Sequence, residues 1–255
     1  MASNFVWYEL MTTDIKAAET FYANVIGWNG QRWGDASFSY TIMRVGETGV
    51  AGLMNIPDEA RAMGQPPAWV GYIYAADVDK ATESVRKAGG TVHREPSDIP
   101  EIGRFSVVTD PQGAVFMLIT PLPQGEPPAR LTGFTPGRIS WHELYADDWK
   151  KALEFYSSQF GWQKGEAHDM GPMGTYQLFT IDSEQGGGIM NRPPQVPASA
   201  WMYYINVDAI EAAVDRVKSH GGMVLSGPMQ VPGGSWIAQC RDPQGAAFAI
   251  VAPAS

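Results

Sequence analysis

Apolar positions along the chain alternate between two periods. Val6–Thr12, VWYELMT, is rich in aromatic and β-branched residues and predicts a strand. From Ile15 the period lengthens: Ile15, Ala18, Phe21, Tyr22, Val25 and Ile26 share one helical face, with Thr13 or Asp14 placed to cap the start and Gly27 to end it. FSYTIMRV (38–45) and VAGLMNI (50–56) return to strand composition. A second round follows: a strand in AWVGYIYAAD (68–77), a helix in VDKATESVRKA (78–88) stopped by Gly89-Gly90, and strands near TVHRE, GRFSVVT and AVFMLIT. The order reads βαβββ-βαβββ, and predicts an α+β fold of sheets covered by helices on one face.

The whole pattern is then written again. Trp7, Glu9, Leu10, Asp14, Ala18, Phe21, Tyr22, Gly27 and Trp28 recur, always 134 positions on, as Trp141, Glu143, Leu144, Asp148, Ala152, Phe155, Tyr156, Gly161 and Trp162. GLMN (52–55) returns as GIMN (188–191), Trp69 as Trp201, Gly89-Gly90 as Gly221-Gly222, and DPQGA (110–114) as DPQGA (242–246). So many ordered matches indicate a duplication. The predicted organisation is a domain at 1–120, a Pro/Gly-rich linker at 121–137 and a second domain at 138–255.

Composition narrows the function. Apolar residues make up 44% and charged residues 18%, as in globular proteins. The net charge of −9 without a basic cluster argues against nucleic acid as a partner. The apolar stretches are strand-sized, so no membrane segment is expected, and MASNFVWYEL does not read as a signal peptide. The single cysteine, Cys240, excludes an intramolecular disulfide and suits the cytoplasm; it reads as a buried small hydrophobe. The composition leaves a homodimer open.

The element order, the FYxxxxGW helix ends and the DPQGA turns resemble the vicinal oxygen chelate superfamily, which includes glyoxalase I, extradiol dioxygenases and the bleomycin and fosfomycin resistance proteins. The tandem form with W-x-E-L openings is similar to its glyoxalase-related subgroup. The resemblance implies two βαβββ modules per domain, forming two half-open glyoxalase-like barrels, each around a small-molecule site. It also implies metal ligands on the first and last strands of the modules. Those positions fall here on Trp7 and Trp141, near Val70 and Met202, and on Met117 and Ala249. Tryptophan, valine and alanine do not bind divalent metals, and a thioether suits only soft ones, so no metal or other cofactor is expected.

Strand alternation puts Glu9 on the face of Trp7, and Glu143 on the face of Trp141. If that face lines the cup, each glutamate is a candidate general acid or base, or an anchor for a substrate hydroxyl or amine, and its pKa should be raised by the partly dry setting beside the indole unless a cation or several donors hold it ionised. The structural alternative is a glutamate that fixes the module interface. Trp7, Tyr72, Arg104, Met117, Trp141, Tyr204 and Trp236 are candidate ligand-binding residues. His142 should lie on the opposite face from Glu143; His93 reads as in or beside a strand, His168 as in a loop and His220 as at a helix end, none with metal-ligand spacing. Gly186-Gly187-Gly188 marks a turn and a bulge rather than a phosphate loop. Three functions remain open at this stage: a metal-independent enzyme on a small oxygenated or aromatic metabolite, a protein that sequesters such a molecule, and a metal-dependent glyoxalase-type lyase or isomerase.

Overall fold

The structure is a computed structural model and describes residues 3–34, 39–122 and 131–254. The first repeat contains β1 (Phe5–Thr12), α1 (Ile15–Ile26), β2 (Asn29–Trp33), β3 (Tyr40–Val45), β4 (Thr48–Asn55), α2 (Asp58–Ala62), β5 (Ala68–Tyr74), α3 (Val78–Lys87), β6 (Thr91–Ile99), β7 (Gly103–Thr109) and β8 (Val115–Pro121). The second contains β9 (Ile139–Ala146), α4 (Trp149–Phe160), β10 (Gln163–Asp169), β11 (Thr175–Ile181), β12 (Glu184–Asn191), β13 (Ala200–Asn206), α5 (Ile210–Ser219), β14 (Met223–Gln230), β15 (Trp236–Arg241) and β16 (Ala247–Ala252), with a single 3₁₀ turn at Gly171–Met173. The βαβββ order predicted from periodicity is present four times, and the fold is α+β. No helix among the described residues is long and apolar enough to cross a membrane.

Local chemistry sets the helix ends. The Asp14 carboxylate accepts from the Ala17 N–H at 2.9 Å, and Asp148 accepts from the Lys150 and Lys151 N–H groups, satisfying donors that a helix start leaves orphaned. Gly27 and Gly161 end α1 and α4 at φ 87° and 75°, where a side chain would be strained.

The sixteen strands among the described residues make two open eight-stranded sheets, one per repeat, in the orders β2-β3-β4-β1-β5-β8-β7-β6 and β10-β11-β12-β9-β13-β16-β15-β14. Within a module the last strand returns parallel to the first: β4 runs beside β1, β8 beside β5, β12 beside β9 and β16 beside β13. The glycine run behaves as its composition predicts: Phe179 pairs with Gly187 and Thr180 with Gln185, so Gly186 is the extra residue of a bulge.

Packing groups the modules across the repeats. One compact unit comprises Trp7–Trp69, Pro128–Ser140 and Tyr203–Ser255. In its core Tyr22 stacks on Trp28 and meets Trp69 and Phe248 edge-on, at centroid distances of 5.7, 5.3 and 5.4 Å. Trp69 Nε1 donates to Tyr22 Oη at 2.8 Å, and Tyr22 Oη donates to Asp242 Oδ2 at 3.2 Å. The other Asp242 oxygen accepts the N–H groups of Gln244, Gly245 and Ala246. Gly137, at the end of the linker, accepts from Trp28 Nε1 at 2.8 Å. Linker residues 123–130 lie outside the described residues.

The other unit comprises Met1–Val6, Val70–Pro127 and Trp141–Met202. It repeats the same core: Tyr156 stacks on Trp162, Trp201 Nε1 donates to Tyr156 at 3.0 Å, and Tyr156 donates to Asp110 at 3.1 Å. The aspartate of each DPQGA turn thus serves a helix tyrosine of the opposite repeat. Burial is the first cause that raises both aspartate pKa values above the ordinary carboxylate range, opposed by the backbone donors.

Candidate functional site

Each glutamate of the W-x-E-L strands ends a three-residue relay. In the unit holding β1, Trp7 Nε1 donates to Tyr40 Oη at 3.0 Å, and Tyr40 Oη donates to Glu9 Oε2 at 3.0 Å. In the unit holding β12, Trp141 Nε1 donates to Tyr176 Oη at 2.9 Å, and Tyr176 Oη donates to Glu143 Oε2 at 2.9 Å. Glu9 and Glu143 retain only 5% and 6% of their exposure, so a charge-assisted donor at each matters. Burial first, then the neighbouring glutamate, holds both tyrosine pKa values well above the ordinary phenol value. Each phenol therefore stays protonated and remains a donor.

The strand order explains the reach. Tyr40 lies on β3 and Glu9 on β1, with β4 between them. Glu9 is in register with Gly52 of β4, and Glu143 with Gly188 of β12. A Cβ on Gly52 would lie 1.8 Å from Tyr40 Oη, and one on Gly188 would lie 2.3 Å from the Tyr176 ring. The glycine of GLMN and GIMN is the gap through which the tyrosine crosses. The sequence reading had the glutamates, tryptophans and glycines but missed the tyrosines. The available signal was spacing: Tyr40 to Tyr176 is the same 136 positions as Gly52 to Gly188.

Of the other candidates, Tyr72 and Met117 share a face, being direct register partners on β5 and β8. Phe105 joins them, its ring 6.4 Å from that of Tyr72. Arg104, one residue away, corrects the sequence reading: it points to the α3 side, where its guanidinium meets Asp79 at 2.8 Å as well as Asp98. Ser106, on the same face as Arg104, hydrogen-bonds Thr82 of α3. One residue along a strand reverses the face, so Phe105 rather than Arg104 lies beside Tyr72. Trp236 alternates with the fully buried Ala238 and Cys240, on the face opposite Gln239, which donates to Tyr204 Oη at 3.2 Å. Tyr204 pairs in register with Ala249.

His142 is on the face opposite Glu143, as expected. It is buried, stacks on Phe5 at 4.3 Å and donates from Nδ1 to the Gly186 carbonyl at 2.6 Å. His168 lies in β10 rather than in a loop, opposite Tyr176. His220 caps the end of α5, and His93 is exposed on β6. Cys240 is fully buried, which pushes its thiol up to about 12. The positions where the resemblance would place a divalent metal do not suit one. The indole N–H groups of Trp7 and Trp141 are donors committed to tyrosines, and Met117 and Ala249 supply neither carboxylate nor imidazole. No three His, Cys, Asp or Glu side chains gather among the described residues.

A family model described as the Glyoxalase/Bleomycin resistance protein/Dioxygenase superfamily matches residues 4–118 and again 138–250. The chain belongs to this superfamily. It is 33% identical over 253 residues to the protein named "Putative glyoxylase CFP32" of Mycobacterium tuberculosis (strain CDC 1551 / Oshkosh), covering 97% of this chain and 94% of that one. It is 29% identical over 281 residues to "Anthracycline biosynthesis protein DauV" of Streptomyces sp. (strain C5), covering 96% and 91%. The Mn(II)-bound glyoxalase from Novosphingobium aromaticivorans superposes with a TM-score of 0.67 at 19% identity, over 100% of this chain and 82% of that one. The 2,2',3-trihydroxybiphenyl 1,2-dioxygenase of Sphingomonas wittichii strain RW1 superposes with a TM-score of 0.70 at 13% identity, over 99% and 91%. These two likenesses are of fold alone.

Proposed function

We propose that this superfamily member acts on a small oxygenated or aromatic molecule without the superfamily's metal, with Glu9 and Glu143 as its acid–base groups. The observation that carries the reading is the Trp–Tyr–Glu relay, present in both units with matching distances. A carboxylate fixed by one protonated phenol is a positioned base: it takes a proton from a substrate hydroxyl or activated C–H and returns it elsewhere on the same molecule. The tyrosine does not transfer that proton. It fixes the carboxylate and is itself fixed by the indole. The relative named for anthracycline biosynthesis supports an aromatic ligand, and the one named as a glyoxylase supports an oxygenated one.

The near-complete burial of both glutamates favours a second reading, in which the relays are rigid acceptors and the protein sequesters its ligand unchanged. Glu9→Gln and Glu143→Gln separate the two. As acid–base groups, the glutamates are needed for turnover while ligand affinity stays within about tenfold. As acceptors, their loss weakens affinity and there is no turnover to lose. If both variants keep binding and activity unchanged, neither reading stands.

A further inference from the structure

We propose that Arg94 makes the exposed part of the β6–β7 face an anion subsite, selecting aromatic ligands that carry a carboxylate or a similar oxyanion. The proposal deepens the small-molecule reading above by naming a ligand class.

Arg94 lies on β6, in register with Val107 of β7. Its guanidinium sits 4.8 Å from the centroid of the Phe105 ring, a cation–π geometry. Phe105 in turn contacts Tyr72, and Val107 is in register with Met117. On one sheet face within one unit, the half-buried Val107 and the buried Tyr72, Phe105 and Met117 therefore lie beside an exposed cation at the rim.

Three observations separate Arg94 from an ordinary surface arginine. It is exposed and forms no ion pair among the described residues, although the chain carries 27 acidic side chains against 18 basic ones. The nearby carboxylates are engaged elsewhere: Glu95 with Arg86, and Asp98 with Arg104. The backbone also isolates the position, since β6 shifts register between Val92 and Arg94 and again between Arg94 and Ser97. Paired bulges of this kind re-aim a side chain. The second repeat keeps both breaks, around Ser226, which pairs with Gln239. The device belongs to the fold, but the cation belongs to the first repeat alone. A guanidinium over a ring can turn its N–H groups to an oxyanion for bidentate pairing, while the ligand's apolar body lies along Val107 and the edge of Phe105.

The test is calorimetric titration of the full chain with 2-naphthoate and with 2-naphthalenemethanol, which has the same ring but no charge. Wild type should bind the naphthoate at least tenfold more tightly. Arg94→Gln should remove that preference while changing the alcohol's affinity less than about twofold, and Arg94→Lys, which keeps the charge but not the fork, should retain part of it. A wild type that binds neither probe, or both equally, overturns the proposal, as does an Arg94→Gln variant that still discriminates. If Arg94→Gln does not fold, the outcome with Arg94→Lys decides: undiminished discrimination overturns the subsite. The same titrations on Glu9→Gln and Glu143→Gln keep the two readings apart. Charge discrimination that survives there supports the subsite whatever becomes of the relays, and loss of discrimination there with Arg94 intact overturns it.

Discussion

Tyr22, on the first helix, donates a hydrogen bond to Asp242, which lies 220 positions later in the DPQGA turn of the second repeat. Tyr156 and Asp110 make the same bond in the opposite sense. Each compact core therefore draws on both copies of the duplicated sequence. In Tyr22→Phe the buried Trp69 N–H loses its acceptor, and the expected loss is about 1–3 kcal/mol. Thermal melting should fall by roughly 2–4 °C per kcal/mol for a protein of this size. An unchanged melting temperature would show that the bond contributes nothing net.

The same aspartates predict a pH dependence. Burial raises the folded pKa of Asp242 above the ordinary 3.8. A carboxyl with a raised folded pKa contributes stability that is complete below its unfolded pKa and is lost as pH rises through the folded value. The stability advantage of wild type over Asp242→Asn should therefore be largest near pH 4 and shrink toward pH 7. Urea unfolding at both pH values measures it; an advantage that grows with pH contradicts the assignment.

Gly52 is required by Tyr40 rather than by a turn. Gly52→Ala would drive a methyl group into the tyrosine and push its hydroxyl off Glu9, costing about 1–3 kcal/mol. In a Tyr40→Ala background the same substitution should cost less than about 0.5 kcal/mol, because the clash is gone. A double-mutant cycle by chemical denaturation reads the coupling directly. Equal costs in the two backgrounds would refute the crossing geometry.

Cys240 should be silent in the folded protein. Its thiol is fully buried and pushed up to about 12. At pH 8 a disulfide reagent such as Ellman's should titrate close to no thiol per chain in buffer and one per chain in denaturant. Rapid labelling of the native protein would place the residue at the surface.

Much of this architecture is legible in the amino-acid sequence because it is local or repeated. Asp14, Gly27 and their copies mark helix ends through backbone chemistry that acts within one turn. Alternation along VWYELMT places Glu9 beside Trp7 without further information. What the sequence hides depends on distant partners and on exact register. Tyr40 meets Glu9 across an intervening strand, and nothing near Glu9 in the chain announces it. The face that Arg104 and Trp236 occupy turns on a single position along β7 and β15, which composition does not reveal. The exchange of DPQGA turns between repeats is invisible to periodicity, which reports each copy alone.

The central claim is that a small molecule meets the relay glutamates with no metal between them. The most direct measurement is calorimetric titration of chelator-treated protein with 2,3-dihydroxynaphthalene, an aromatic that presents two hydroxyl donors. Wild type is compared with the Glu9→Gln, Glu143→Gln double variant, each with and without added manganese. The account predicts saturable binding by metal-free wild type, an affinity within about tenfold of it in the double variant, and no effect of manganese on either. Binding that appears only with manganese, or that weakens far beyond tenfold with loss of both glutamates, would contradict it.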